Sequence, residues 1–133
     1  MDKDRVTLVV PAKGEFAKTV RLTAAALAGR MGMTYDDVDD VRMAAEEAFV
    51  YACDTKPDAG EVTLFFYPEG DLMRIEVPLG SGSRASAEDA ERGAAYATFI
   101  LQSVCDRFEL SSDEHGAWLR LEKHASLVSV DDD

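Results

Sequence analysis

The apolar residues of this chain change their spacing along its length, and the order of those changes restricts the fold more than any other feature. Within residues 4–10 apolar residues recur at every second position, the period of a β-strand, and Pro11 and Gly14 end that segment. Within residues 15–31 the apolar positions step by three and four, the period of an amphipathic helix that Gly32 ends. The chain therefore begins with one strand and one helix.

A second helix follows closely. Thr34 stands at an N-cap position with Asp37 three residues later, a variant of the capping box that begins many helices. The turn-rich segment 54–60 ends this helix. Because further apolar residues flank its stripe, we expect its buried side to be wide. Its apolar residues are Val38, Val41, Met43, Ala45, Ala48, Phe49, Val50 and Ala52.

The next segments alternate apolar and polar residues and predict a β-hairpin. Its strands contain residues 62–66 and 73–77, with the turn at residues 68–71. The small residues of segment 78–84 then predict a loop that joins this hairpin to the rest of the chain.

A third helix and a second hairpin complete the pattern. Ser86 and Asp89 cap the helix, whose apolar positions again step by three and four. Residues 108–111 and 117–123 predict the last two strands, around a turn at residues 113–116. The stripe of the third helix consists of Ala90, Ala94, Ala97, Leu101 and Val104.

The element order is therefore β-α-α-β-β-α-β-β, with no internal repeat and no linker, so residues 1–133 are predicted to form a single domain. Each helix has one apolar stripe, and each strand has one apolar face. A two-layer α+β sandwich, with the helices on one face of a mixed or antiparallel sheet, buries all of these surfaces together.

The charge of the chain restricts its partners. Its 133 residues include 14 Lys and Arg against 26 Asp and Glu, for a net charge of −12. Such an excess of acid opposes binding to nucleic-acid phosphates and to anionic lipid. The sequence has no signal-peptide core and no segment near the ~20 apolar residues of a membrane span. We therefore predict a cytoplasmic protein that binds neither nucleic acid nor membranes.

The cysteines and histidines do not form a recognisable site. Cys53 and Cys105 are far apart and lack the spacing of a zinc or redox motif, which predicts buried free thiols. His115 lies in a predicted turn and His124 follows the last strand, without metal-ligand spacing. We expect both histidines at the surface.

Four acids, Asp36, Asp37, Asp39 and Asp40, gather at the start of the second helix. They are interpreted as a solvated helix start, where carboxylates favour the positive end of the helix dipole. The alternative is that they attract a basic partner.

Three other features each permit a structural and a functional interpretation. Glu47 stands beside the apolar stripe of the second helix, where a carboxylate is either a solvated acid or a general base. The glycines of segment 80–82 form a flexible connection or present N–H groups to an anion. Alternate residues of the last strand, Trp118, Arg120 and Glu122, line an exposed contact face unless the tryptophan packs in the core.

The element order, together with the segments VRMAAEEAFVYACD, PLGSG and RGAAYATFILQSVCDRFEL, resembles a known family. The chain is similar to the anti-sigma-factor and serine-protein-kinase branch of the GHKL ATPases, which have the histidine-kinase-like ATP-binding (Bergerat) fold. The similarity extends from the first strand to the last hairpin, and it includes the spacing from Phe99 to Asp106 at the end of the third helix.

The resemblance implies an ATP and magnesium site, and it assigns a role to two positions of the second helix. In the family a Glu-Ala-x-x-Asn pattern supplies a Glu that polarises the attacking group and an Asn that holds the magnesium ion. Here Glu47 retains the first position, as the candidate base, and Tyr51 replaces the asparagine. A phenol cannot offer magnesium an amide oxygen in the same geometry.

The other two nucleotide-binding motifs of the family also differ here. Pro78 stands where the Asp-x-Gly-x-Gly motif has the aspartate that reads adenine, although Gly80 and Gly82 are kept. Where the family has paired glycines at the start of the third helix, this chain has alanines, and Gly93 is the nearest glycine. Added methyl groups restrict the approach of a ligand to the backbone. We therefore predict a degenerate ATP site.

Three functions follow. The first is a non-catalytic regulator of transcription that binds a sigma factor or an anti-anti-sigma protein, an interpretation compatible with a homodimer. The second is an active serine-protein kinase with a diverged site, in which Glu47 is the base. The third is a small-ligand-binding domain whose remodelled pocket is lined by Tyr51, Pro78 and Tyr96.

Overall fold

The computed structural model describes residues 4–55, 60–80, 87–114 and 116–126, with the backbone alone for residues 87–94 and residue 113. Its elements follow the predicted order. They are β1 (Val6–Pro11), α1 (Ala17–Arg30), α2 (Tyr35–Thr55), β2 (Glu61–Glu69), β3 (Leu72–Gly80), α3 (Ala87–Val104), β4 (Arg107–Asp113) and β5 (Gly116–His124).

The five strands form one antiparallel sheet in the order β1-β2-β3-β5-β4. The strand residues that point toward the helices are buried, which confirms the predicted two-layer α+β architecture with an antiparallel sheet. We call the opposite side of the sheet the open face. The fully buried strand residues are Leu64, Phe66, Met73, Ile75, Val77, Leu119 and Leu121.

The helix α2 lies at the centre of the helical layer, between α1 and α3 and against the sheet. Its buried side is wide, as expected, and much of it is alanine. Small side chains allow α1 and α2 to approach closely, and Phe49 is a large, fully buried residue of α2. The buried alanines are Ala17, Ala24 and Ala28 of α1 and Ala44, Ala45, Ala48 and Ala52 of α2.

Several predicted boundaries differ from the structure by one to a few residues, and β1, for example, includes Pro11. A 3₁₀ turn at Gly14–Phe16 precedes α1, which begins later than the pattern indicated. The first hairpin turn is confined to Gly70 and Asp71, because Gly70 adopts the positive φ of 62° that a two-residue turn needs.

The segment 78–84 was predicted to be a loop, but its first three residues belong to β3. The Cα partner of Pro78 is Trp118 on β5, and the register shifts between Pro78 and Gly80. Such an irregularity lets a strand contain a proline, which cannot donate a ladder hydrogen bond. Residues 81–86 lie outside the described part of the chain.

Asp37 does not behave as the sequence indicated. The backbone N–H of Asp37 donates to the Thr34 hydroxyl at 3.1 Å, which confirms the predicted cap. The carboxylate, however, is only 2% exposed, and it accepts hydrogen bonds from the backbone N–H (2.6 Å) and the hydroxyl (2.7 Å) of Ser126. The prediction of a solvated helix start is therefore wrong at this residue. We call this contact the Asp37–Ser126 clasp.

A lysine completes the surroundings of the clasp. The ammonium of Lys123 lies 3.0 Å from the Asp40 carboxylate and 3.8 Å from that of Asp37. Burial by itself raises the pKa of Asp37, but the hydrogen bonds from Ser126 and Thr34 and the charge of Lys123 outweigh burial and lower that pKa. Asp37 is therefore held as a buried carboxylate.

Candidate functional site

Glu47 and Tyr51, the two positions of α2 that the resemblance singled out, stand one helical turn apart and so share one side of the helix. The Tyr51 side chain is buried, with 9% exposed, whereas Glu47 is half-buried. Burial raises the pKa of both groups, and for Glu47 the neighbouring charges of Glu46 and Asp54 raise it further. A carboxyl with a raised pKa is a feature of general bases, although buried structural acids share it.

Beside Tyr51 lies an open cavity of ≈ 210 Å³. It is formed where the second half of α2, the end of β3 and the hairpin of β4 and β5 meet. Its lining combines apolar side chains with three hydroxyl-bearing residues, and none of the described lining residues is charged. The lining residues are Tyr51, Leu79, Leu110, Ser111, Ser112 and Ala117.

Of the predicted cofactor-binding residues that the structure describes, Tyr51 alone lines this cavity. Gly80 ends β3 beside it, with a φ of 76° that favours glycine. Pro78 alternates with the buried Val77 and Leu79 and pairs with Trp118, which places it toward the open face. Gly93 lies within α3, and Gly82 lies outside the described residues.

Leu79 is a lining residue that the sequence analysis missed. The alternation of buried positions from Met73 through Val77 continues to Leu79, which is 8% exposed. That alternation was the signal that could have identified it, but the glycines that follow were interpreted as a loop that began at Pro78.

The donor groups near Tyr51 do not suit a magnesium ion. Magnesium prefers carboxylate, carbonyl and water oxygens in an octahedral arrangement. The position that carries an amide in the family presents a neutral phenol here. Within the described residues, no group of three or more His, Cys, Asp and Glu side chains lies close enough together to hold a metal ion. Among the described residues, the Tyr51 position therefore lacks the amide oxygen that holds magnesium in the family.

Most acids at the start and middle of α2 have ionic partners within the chain. Asp39 pairs with Arg42, Asp40 with Lys123 at 3.0 Å, and Glu46 with Arg21 at 2.9 Å. These pairs neutralise much of the acidic helix and leave less free charge for a basic partner than the sequence suggested.

The second half of α3 is uncharged, in a chain of which 30% is charged. Residues 95–105 contain no charged residue, and two aromatic side chains stand outward there, Tyr96 with 62% and Phe99 with 68% exposed. Tyr96 is not among the described residues that line the cavity beside Tyr51, and it is exposed while Ala97 and Leu101 are buried.

The open face of the sheet carries the alternate residues predicted for the last strand. Trp118 is half-buried there, and Arg120 donates to the Glu76 carboxylate at 2.9 Å. Arg74 stacks over the Tyr67 ring, 4.3 Å from its centroid, and also lies beside Glu76. Trp118, Arg120 and Glu122 therefore lie on the more exposed face of the sheet, as predicted, and its use as a contact surface stays a prediction.

The cysteines and the described histidine are not among the residues that line the cavity beside Tyr51. Cys53 and Cys105 are free thiols, as predicted, but only half-buried, and burial raises the pKa of Cys105 to about 12. His124 is exposed, and His115 lies outside the described residues. None of the described helices has the length and apolar composition that crossing a bilayer requires.

Comparisons with known proteins find several relatives, one of which matches nearly the whole chain. A serine-protein kinase RsbW of Halalkalibacterium halodurans is 31% identical over 145 residues, which cover 96% of this chain and 88% of the relative. A serine-protein kinase RsbW of Bacillus cereus is 37% identical over 76 residues, 56% of this chain and 48% of that relative. No family model matches the chain.

One solved structure has the same fold. The RsbU and RsbW domains of a Mycobacterium tuberculosis protein superpose with a TM-score of 0.70, at 14% sequence identity. The superposition covers 95% of this chain and 34% of that chain.

Proposed function

Because the chain belongs to the RsbW serine-protein kinases, in the anti-sigma-factor branch of the GHKL ATPases, we propose that it regulates transcription by binding a sigma factor. In this proposal the scaffold is used for protein recognition, and the nucleotide site no longer works as in the family. The exposed aromatic residues of α3 support partner binding. The phenol of Tyr51, in place of the family's asparagine, supports the loss of the nucleotide site.

The exposed pair on α3 has the composition of an interface core. Aromatic side chains are enriched at the centre of protein interfaces, and charged residues are depleted there. Tyr96 and Phe99 meet both conditions, because residues 95–105 are uncharged while the chain as a whole has a net charge of −12. A sigma factor binds DNA phosphates with basic surface, which the acidic remainder of this chain attracts.

An anti-anti-sigma protein is the alternative occupant of the same surface. The two partners are distinguished by adding each one, purified, to the chain and measuring whether one displaces the other. Since a sigma factor works in the cytoplasm, the proposal also places this protein there.

We expect no magnesium-dependent stabilisation by nucleotides. A ligand at 100 times its dissociation constant stabilises a protein by about 2.7 kcal/mol, which raises the melting temperature of a domain this size by roughly 5–15 °C. With millimolar ATP or ADP and magnesium, the melting temperature is expected to stay at its value in magnesium alone. A magnesium-dependent rise in that range would contradict the loss of the site.

One observation favours the second candidate function, an active serine-protein kinase. Glu47 keeps the position of the family's carboxylate, and burial raises its pKa in the direction that suits a base. The test is transfer of labelled phosphate from ATP to a serine of an anti-anti-sigma protein, compared between the chain and Glu47→Gln. Our proposal expects no transfer by either protein, and transfer that the variant loses would establish the kinase.

A homodimer through the open face also belongs to this proposal. Half-buried aromatic residues lie there among positively charged arginines and negatively charged glutamates. Because both charges are present, the same surface on a second copy can pair with it. Sedimentation equilibrium of the chain and of Trp118→Glu measures the assembly directly. Equal dimer dissociation constants for both proteins would show that the interface does not include the open face.

A further inference from the structure

We propose that the segment 127–133 binds in the groove between α1 and α2 and covers an apolar surface that the two-layer fold leaves open. The segment lies outside the described part of the chain, and its sequence is LVSVDDD. The groove is a different surface from the exposed aromatic residues of α3, so this contact is independent of sigma-factor binding. A partner that needs the groove must displace the segment.

The groove runs along the outer side of the helical layer, where α1 and α2 meet. A cavity of ≈ 110 Å³ opens in it, between Ala25 of α1 and the first two turns of α2. Large apolar side chains stand exposed there, Tyr35 in the lining with 88% exposed and Leu22, one turn before Ala25, with 59% exposed. Removing such a surface from water is favourable. The lining residues are Ala25, Tyr35, Val38, Asp39 and Arg42.

The Asp37–Ser126 clasp holds the start of the segment 127–133 beside this groove. Asp37 stands between the lining residues Tyr35 and Val38, and its carboxylate accepts hydrogen bonds from both the N–H and the hydroxyl of Ser126. Such a tether gives the segment an effective concentration of about 1 mM or more at the groove. A contact with a dissociation constant of about 1 mM is then made in at least about half of the molecules.

The segment 127–133 is long enough to enter the groove. Extended, it covers about 23 Å, and the passage from the Asp37 side of α2 to the groove takes about 10 Å, the diameter of a helix. Val128 then reaches the exposed ring of Tyr35, and Val130 reaches the cavity beside Ala25. The two valines share one side of an extended chain, because successive side chains point to opposite sides.

The charges of α1 complement the end of the segment. Residues 131–133 are aspartates, whereas α1 contains no acid, and its bases Arg21 and Lys18 stand one and two turns before Ala25. One to two turns are about 5–11 Å, the distance that three extended residues cover. Glu46 already pairs with Arg21 at 2.9 Å, but among the ion pairs between described residues none uses Lys18. The aspartates therefore meet opposite charge on α1.

The test is NMR spectroscopy of the full chain, which detects contacts between methyl groups and rings directly. We expect nuclear Overhauser contacts from the Val130 methyls to the Ala25 methyl and from the Val128 methyls to the Tyr35 ring. In a mixture of labelled and unlabelled chain, these contacts are expected to stay within one molecule. Random-coil shifts for residues 127–133 without such contacts, or contacts that pass between two copies of the chain, would overturn the proposal.

Two pairs of variants locate the contact. Val130→Ser is expected to lose the contact with Ala25, whereas Ser129→Ala, on the opposite side of an extended segment, is expected to keep it. Ala25→Glu fills the groove and repels the aspartates, so it is expected to release the segment, whereas Ala26→Glu, at the exposed neighbour on α1, is expected to keep it bound. If Ala25→Glu does not fold, the first pair decides. Equal behaviour within a pair contradicts the proposal, and no outcome bears on binding through α3.

Discussion

Replacement of Asp37 by alanine is expected to lower the free energy of unfolding by about 3 kcal/mol, the largest change that any exchange of a polar residue should produce in this chain. The Asp37 carboxylate is buried and accepts two short hydrogen bonds from Ser126, and each bond to a charged group is worth about 1.5–3 kcal/mol. The variant also loses a negative charge in the first turn of α2 and leaves Lys123 with one carboxylate fewer.

Urea unfolding of the chain, Asp37→Ala and Asp36→Ala measures this contribution. Asp36 is the exposed neighbour of Asp37 in the same helical turn, so its variant controls for the helix dipole, and we expect it to remain within about 0.5 kcal/mol of the parent. Equal stability of the two variants would show that the Asp37–Ser126 clasp contributes nothing.

The same clasp makes stability depend on pH in a defined direction. The folded state lowers the pKa of Asp37, so the contribution of this carboxylate is fully present above the unfolded pKa of about 4. It is lost as the pH falls through the lower, folded pKa. The difference in unfolding free energy between the parent and Asp37→Ala is therefore expected to shrink below pH ~4. A difference that grew with acid would contradict the assignment.

Replacement of Phe99 by aspartate is expected to weaken sigma-factor binding by about 30-fold or more. Exposed aromatic residues at the centre of an interface contribute about 2 kcal/mol or more, and each 1.4 kcal/mol is about a factor of ten in affinity. The new carboxylate would also be desolvated in the complex. Because Phe99 is 68% exposed in the free protein, the exchange should leave the fold intact.

Leu22 offers a matched control for this measurement. It is another large apolar residue at a surface, 59% exposed on α1, so Leu22→Asp makes the same chemical change away from α3. We expect Leu22→Asp to bind the sigma factor as the parent does, while Tyr96→Asp resembles Phe99→Asp. If Leu22→Asp alone lost binding, the interface would lie on α1 and not on α3.

The parts of the fold that depend on local periodicity were predictable from the sequence. The alternation in β2, β3 and β5 placed Leu64, Ile75 and Leu121 in the core, where the structure has them. The stripe through Ala97 and Leu101 fixed the buried side of α3. That stripe leaves Tyr96 and Phe99 off the buried side of α3, a consequence that the interpretation of Tyr96 as a pocket-lining residue overlooked.

The contacts that join distant parts of the chain were not predictable. Ser126 lies 89 residues after Asp37, and no local pattern indicates that the end of β5 reaches the start of α2. The cavity beside Tyr51 depends in the same way on four separate elements, α2, β3, β4 and β5, which only the folded chain brings together. The cap between Thr34 and Asp37 can be predicted from neighbouring residues. The contact of the Asp37 carboxylate with the distant Ser126 cannot.

In our proposal this protein recognises its partner without help from a nucleotide. The decisive measurement is a calorimetric titration of the sigma factor into the chain, with and without ATP and magnesium. We expect saturable binding whose dissociation constant is the same, within about twofold, under both conditions. Binding that appears only with ATP and magnesium, or tightens tenfold or more with them, would contradict it and restore the nucleotide site to the centre of the mechanism.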